Sequence, residues 1–138
     1  MPVAHFHLPR DRYTSEQERR LVVDASIIYA RVLDSPIERV RAFVVHYEPS
    51  AVAVGGELVA DGAAVSPYFT AIVLTGRPVE QRQELLAQFT DLLVDALGVE
   101  KAHVRGQIVE VAPENWAIGG IPAAAVRSAE IGARAGAS

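Results

Sequence analysis

Pro2 carries the most distinctive chemistry in this sequence. It follows Met1 directly, and cellular aminopeptidases remove an initiator methionine that precedes a small residue. The mature chain is therefore expected to begin with a secondary amine. An ordinary α-amine titrates near about pH 7.7–8.0. Burial disfavours the ammonium form and nearby arginines disfavour it further, which leaves a free amine able to act as a general base at neutral pH. The rigid ring holds the lone pair in one direction, which suits a proton shuttle. Arginine complements such a base, because the planar guanidinium grips a carboxylate with two parallel bonds. The chain has no cysteine, so disulfides, thiolate nucleophiles and cysteine-ligated metals are excluded. His5 and His7 flank Phe6 and share one face of an extended segment, but only His46 and His103 stand elsewhere. No metal site is expected from them. The pairs Gly55-Gly56 and Gly119-Gly120 lack the spacing and strand-to-helix context of a nucleotide loop. They read as a bulge and a turn, and no cofactor is expected.

The rest of the composition points the same way. The 138 residues are 50% hydrophobic, with 13 basic and 17 acidic side chains and a net charge of −4. That length suits one domain burying roughly two-thirds of its unfolded surface. The acidic balance argues against nucleic acid or an anionic membrane as partner. No apolar run approaches the roughly 18 residues that span a bilayer, and the N-terminus lacks the regions of a secretory signal. A soluble, cytoplasmic protein is expected.

The elements that must position Pro2 follow from local patterns. Residues 2–8 read as a strand ending at Pro9. Thr14 and Gln17 have capping-box spacing, and Leu21, Ala25, Ile28 and Val32 recur at helical intervals until Asp34-Ser35-Pro36. Residues 40–47 form a second strand candidate rich in β-branched and aromatic residues. A short strand near 51–54 and another at 58–59 flank Gly55-Gly56. The pattern then restarts: a strand at 68–75, a helix opened by Pro78 and closed by Gly98, and a strand at 103–111. An alanine-rich end, 123–138, holds a short helix and a tail.

The second half repeats the first. Leu21 recurs as Leu85, 64 positions on, and the same spacing joins Glu16-Gln17 to Glu80-Gln81, Val40-Arg41 to Val104-Arg105 and Pro49 to Pro113. The chain thus reads as one domain of two fused βαβ modules, about 2–49 and 66–113, followed by a C-terminal tail. The predicted fold class is α+β: a four-stranded mixed sheet with both helices on one face, plus short hairpin strands. Phe43 and Val45 fall on one face of the second strand and Val40, Ala42 and Val44 on the other. A sheet apolar on both faces needs a second layer, here expected from further protomers.

A tandem βαβ chain of this length that starts Met-Pro resembles the tautomerase superfamily, with a tautomerase/MIF-like fold. The resemblance is to the branch holding cis-3-chloroacrylic acid dehalogenase and malonate semialdehyde decarboxylase. It runs from Pro2 to about Gly120 and includes 11–14 after the first strand, Gly55-Gly56, Gly76-Arg77 and Asn115-Trp116. It implies a homotrimer packed through its sheets, no cofactor, a small carboxylate substrate and catalysis by Pro2. Arg77 matches an arginine that holds the substrate carboxylate, with Arg12 or Arg10 as a second contact. Trp116 matches a pocket tryptophan, and Tyr29 falls where the dehalogenases have a histidine.

The chain departs from the dehalogenase pattern at Leu74, Gln107 and Ile118, where an arginine, a tyrosine and a water-activating glutamate are wanted. For the decarboxylase, the acidic partner of the proline corresponds only to Glu38. Keto–enol tautomerisation asks for least: a base, a carboxylate anchor and an apolar wall. The competing classes are a non-catalytic ferredoxin-like binding module and a trimeric relative with weak hydratase, dehalogenase or decarboxylase activity.

Overall fold

A computed structural model describes residues 2–126; the expected C-terminal tail beyond 126 and the fate of Met1 lie outside the described residues. Strand β1 (Val3–Pro9) leads into helix α1 (Ser15–Leu33) and then β2 (Arg41–Tyr47). Strand β3 (Ala53–Val54) and β4 (Glu57–Leu58) make a hairpin, after which β5 (Tyr68–Leu74), α2 (Val79–Leu97) and β6 (Arg105–Val111) repeat the first unit. A second hairpin, β7 (Ala117–Ile118) and β8 (Ile121–Pro122), is followed by the short helix α3 (Ala123–Val126).

Local chemistry sets these boundaries. Thr14 and Gln17 form a full capping box at the start of α1, which satisfies two amide groups that the first helical turn leaves open. Asp34 ends α1 and Gly98 ends α2 in the left-handed region, at φ 49° and 71°. Pro78 is the residue before the first turn of α2 rather than within it. Both glycine pairs are two-residue hairpin turns with positive φ at each position, where glycine carries no steric penalty. The bulge expected at Gly55-Gly56 is therefore a turn.

The main sheet has the order β2-β1-β5-β6. Its outer pairs, β1 with β2 and β5 with β6, are parallel, while the central pair β1 and β5 is antiparallel. Ala4, Phe6 and Leu8 of β1 and Phe69, Ala71 and Val73 of β5 face the helices. They meet Leu21, Ala25, Tyr29 and Leu33 on α1 and Leu85, Phe89, Leu93 and Leu97 on α2, spaced by four so that one stripe of each helix is buried. The opposite face carries His5 and His7, stacked on Phe43 and Tyr68 at ring separations of 5.4 and 5.5 Å. Phe43 remains 48% exposed and Val45 and Tyr68 37% each. Among the described residues no helix is long and apolar enough to cross a membrane.

Candidate active site

The antiparallel pairing of β1 and β5 decides which residues meet. Val3 lies opposite Ile72, so the chain leaving β5 passes the start of β1, where Pro2 is fully buried. Its carbonyl accepts a hydrogen bond from the Arg41 backbone N–H at 2.9 Å. Gly76, at φ 110°, turns the chain there, and Arg77 follows. The half-buried Arg77 guanidinium donates to the Leu33 carbonyl, the last of α1, and to Gln81 Oε1 at 3.4 Å. A cation is favoured at that position by the negative end of the helix dipole.

The loop after β6 comes to the same end of the sheet. A cleft of about 310 Å³ opens there, lined by Val3, Glu38, Arg39, Arg41, Trp116 and Ile118. Trp116 is half-buried and is held by the hydrogen bond from Ala123 N–H to its carbonyl, at 2.7 Å. Arg41 Nη1 donates to the carbonyls of Glu38 and Val40, at 2.8 and 3.2 Å. These bonds fix the direction of the guanidinium. The Pro2 end thus combines arginine cations with an aromatic wall, a set suited to a small carboxylate.

Tyr29 does not line this cleft. It is 0% exposed, its ring meets Phe89 edge-on at 5.2 Å, and its hydroxyl donates to the carbonyls of Ile72 and Val3 at 2.5 and 3.4 Å. Burial pushes the phenol pKa well above its ordinary value, opposed by the nearby charge of Arg77. The expectation that Tyr29 contacts substrate is corrected: its hydroxyl is already engaged beneath the sheet.

Arg10 and Arg12 are not brought to Pro2 either. They follow β1, whose seven residues at about 3.3 Å each put more than about 20 Å between them and the start of the strand. Arg10 pairs with Glu48 at 2.7 Å and Arg12 Nη2 donates to the Val59 carbonyl at 3.3 Å. Arg12 has the place relative to Pro67 that Arg77 has relative to Pro2. Asp11 at φ 62° precedes it as Gly76 precedes Arg77, and Arg105 N–H bonds the Pro67 carbonyl at 3.0 Å. Pro67 lies inside the chain, so its nitrogen is an amide and offers no base.

Arg39 and Arg41 line the cleft and were not singled out in the sequence. For Arg41 a signal existed in the repeat of Val40-Arg41 as Val104-Arg105, read there as evidence of duplication and not of a site. A larger groove of about 380 Å³ runs between α1 and α2, lined by Arg20, Asp24, Ile27, Arg31, Asp91 and Asp95 among others. Arg20 and Asp24 are paired there at 3.4 Å, and the groove lies on the outer face of the helix layer, away from Pro2.

Comparison with known proteins bears on this geometry. The model of the family described as tautomerase enzyme matches residues 2–62 and 67–125. The 2-hydroxymuconate tautomerase of Comamonas testosteroni is 39% identical over 57 residues, covering 41% of this chain and 90% of that protein. The crystal structure of a native fused 4-OT is similar at a TM-score of 0.83 and 25% identity, over 90% of this chain and 98% of that one. A wild-type fused 4-OT described as a symmetric trimer matches at a TM-score of 0.82 and 21% identity, over 91% of this chain and 98% of its own. With both βαβ units matched in turn, the chain belongs to the tautomerase family and is an isomerase.

Proposed function

We propose that this enzyme ketonises a small 2-hydroxy-unsaturated carboxylate of the 2-hydroxymuconate class, with the amine of Pro2 as the proton carrier. The observation that supports this reading is that Pro2 precedes β1 at the sheet end where β5 leads into Arg77 and where the cleft lined by Arg41 and Trp116 opens beside Val3. With Met1 removed, the Pro2 nitrogen takes the proton of the enol hydroxyl and becomes a secondary ammonium. The electron pair of the O–H bond forms the carbonyl, the double bond shifts, and the ammonium returns the proton to carbon. Arg77 anchors the carboxylate, with Arg41 as a second cation, and Trp116 excludes water from the reacting carbon. The same cations disfavour the ammonium and keep the resting proline neutral.

The tautomerase names among the relatives support ketonisation over hydration or decarboxylation. So does Ile118, which gives the cleft an apolar side chain where hydration needs a carboxylate. Gln107 is turned to the open sheet face, its Nε2 donating to the Tyr68 hydroxyl at 2.5 Å. The exposed Phe43, Val45 and Tyr68 become buried in a homotrimer packed through this face, as the trimeric fused 4-OT neighbour supports.

The test combines intact mass with kinetics. The mature chain is expected to lack Met1, and Pro2→Ala is expected to lower kcat on 2-hydroxymuconate by at least about 100-fold. Equal rates for the two proteins would remove the proline mechanism.

A further inference from the structure

Tyr29 is the one tyrosine among the described residues that is fully buried, and its place invites comparison between the two modules. Helices α1 and α2 are both 19 residues long, and Tyr29 on the first corresponds to Leu93 on the second, 64 positions on. Both side chains are 0% exposed. The same place in the fold thus accepts an aliphatic side chain, and packing alone does not call for a hydroxyl. The module that carries it is the one that begins with Pro2.

The hydroxyl proton is shared between two carbonyls of facing residues, Ile72 at 2.5 Å and Val3 at 3.4 Å. Val3 follows Pro2 on β1. Ile72 stands five residues before Arg77, whose guanidinium is close enough to act on the phenol. At the other end of the same strand pair, His7 faces Tyr68, and Leu93 offers no donor to their carbonyls.

We infer that Tyr29 is a positioning residue: its hydroxyl ties the start of β1 to the end of β5 and so holds Pro2 at a fixed distance from Arg77. This rests on Pro2 being the base. A small displacement of a base from its reacting atom lowers turnover steeply, and a guanidinium that drifts away loses its hold on the protonation of the amine.

Tyr29→Phe tests the tether, since it keeps the ring and removes only the oxygen. Expected are a kcat about tenfold lower, a KM within about twofold, and an acid limb of the kcat/KM profile displaced to higher pH. The displacement has that sign because a more distant cation opposes protonation of Pro2 less. Leu93→Ala serves as the control for general loosening: it should lower Tm yet keep wild-type kcat and acid limb. If Tyr29→Phe does not fold, Tyr29→Leu, which copies the second module, replaces it. An acid limb that stays at its wild-type position, whatever happens to kcat, overturns the inference, as does an equal displacement in Leu93→Ala. Pro2→Ala at the wild-type rate would instead remove the proline reading, and the tether with it.

Discussion

Arg77 has two jobs that a single substitution separates from those of Arg12. Its guanidinium closes the C-terminal end of α1 through the Leu33 carbonyl and stands at the Pro2 end of the sheet, whereas Arg12 stands at the Pro67 end. Arg77→Ala is expected to raise KM for the proposed 2-hydroxymuconate substrate at least about tenfold, the loss of one charge-assisted contact. It should also lower Tm modestly, because a helix-end carbonyl loses its donor. Arg12→Ala should change kcat/KM by less than about twofold, since it serves an end without a base. Comparable losses in both variants would show that the two ends share one site. Distance along the sequence misleads here. Arg10 and Arg12 follow Pro2 closely in the chain, yet an extended strand carries them away from it. Arg77 comes from the other module and arrives beside Pro2, because the two modules pair antiparallel. Tyr29 misled in another way: the resemblance set it where the dehalogenases have a histidine, but which atom its hydroxyl reaches is settled only by the packing of α1 across two strands.

At the scale of elements, the modules are alike in path and unlike in filling, and Gly106 shows the consequence. On β6 it lies beside Phe69, and a Cβ added there would sit 2.2 Å from the Phe69 ring. The corresponding place on β2 is Ala42, whose neighbour on β1 is the small Ala4. Phe69 is 0% exposed and packs at 5.7 Å against Phe89, so it has little room to yield. Gly106→Ala is expected to destabilise the protein by about 1–3 kcal/mol, read from the midpoint of urea unfolding. An unchanged midpoint would mean that the Phe69 ring relocates freely. The helices and the four long strands were legible because caps, turn residues and residue types agree locally: Thr14 with Gln17, Gly98 after Leu97, and the apolar run 68–75 that Gly76-Arg77-Pro78 punctuates. One- and two-residue differences at the starts of β2 and β6 arise where apolar residues such as Val40 and Val104 precede the ladder. The exchange of large and small residues between modules was not legible, because only the facing strand shows which volume must be filled.

Across the whole molecule, the described residues leave one sheet face open, and His7 on it gives the proposed assembly a pH dependence. His7 stacks on Tyr68, and its pKa is lowered from 6.5, first by burial and then by the charge of His5. Arg41, Arg105 and Gln107 belong to the same face by strand register, and the two arginines add further positive charge. A histidine with a lowered folded pKa binds its proton less readily than in the unfolded chain. Its neutral form therefore supports the folded state fully above pH 6.5, and the support is lost as pH falls from 6.5 through the lowered value. Within one chain this effect is small, since the ring stays partly exposed. In the proposed homotrimer, packing through this face would add desolvation to His7, so the same sign would apply more strongly to assembly. Sedimentation at micromolar concentration is expected to show a trimer at pH 7.5 and a growing share of smaller species at pH 5.5. His7→Gln, which cannot titrate, should flatten that dependence. A mass that stays constant between the two pH values in wild type would place the histidines outside the interface, and a pH response unchanged in His7→Gln would assign it to other groups.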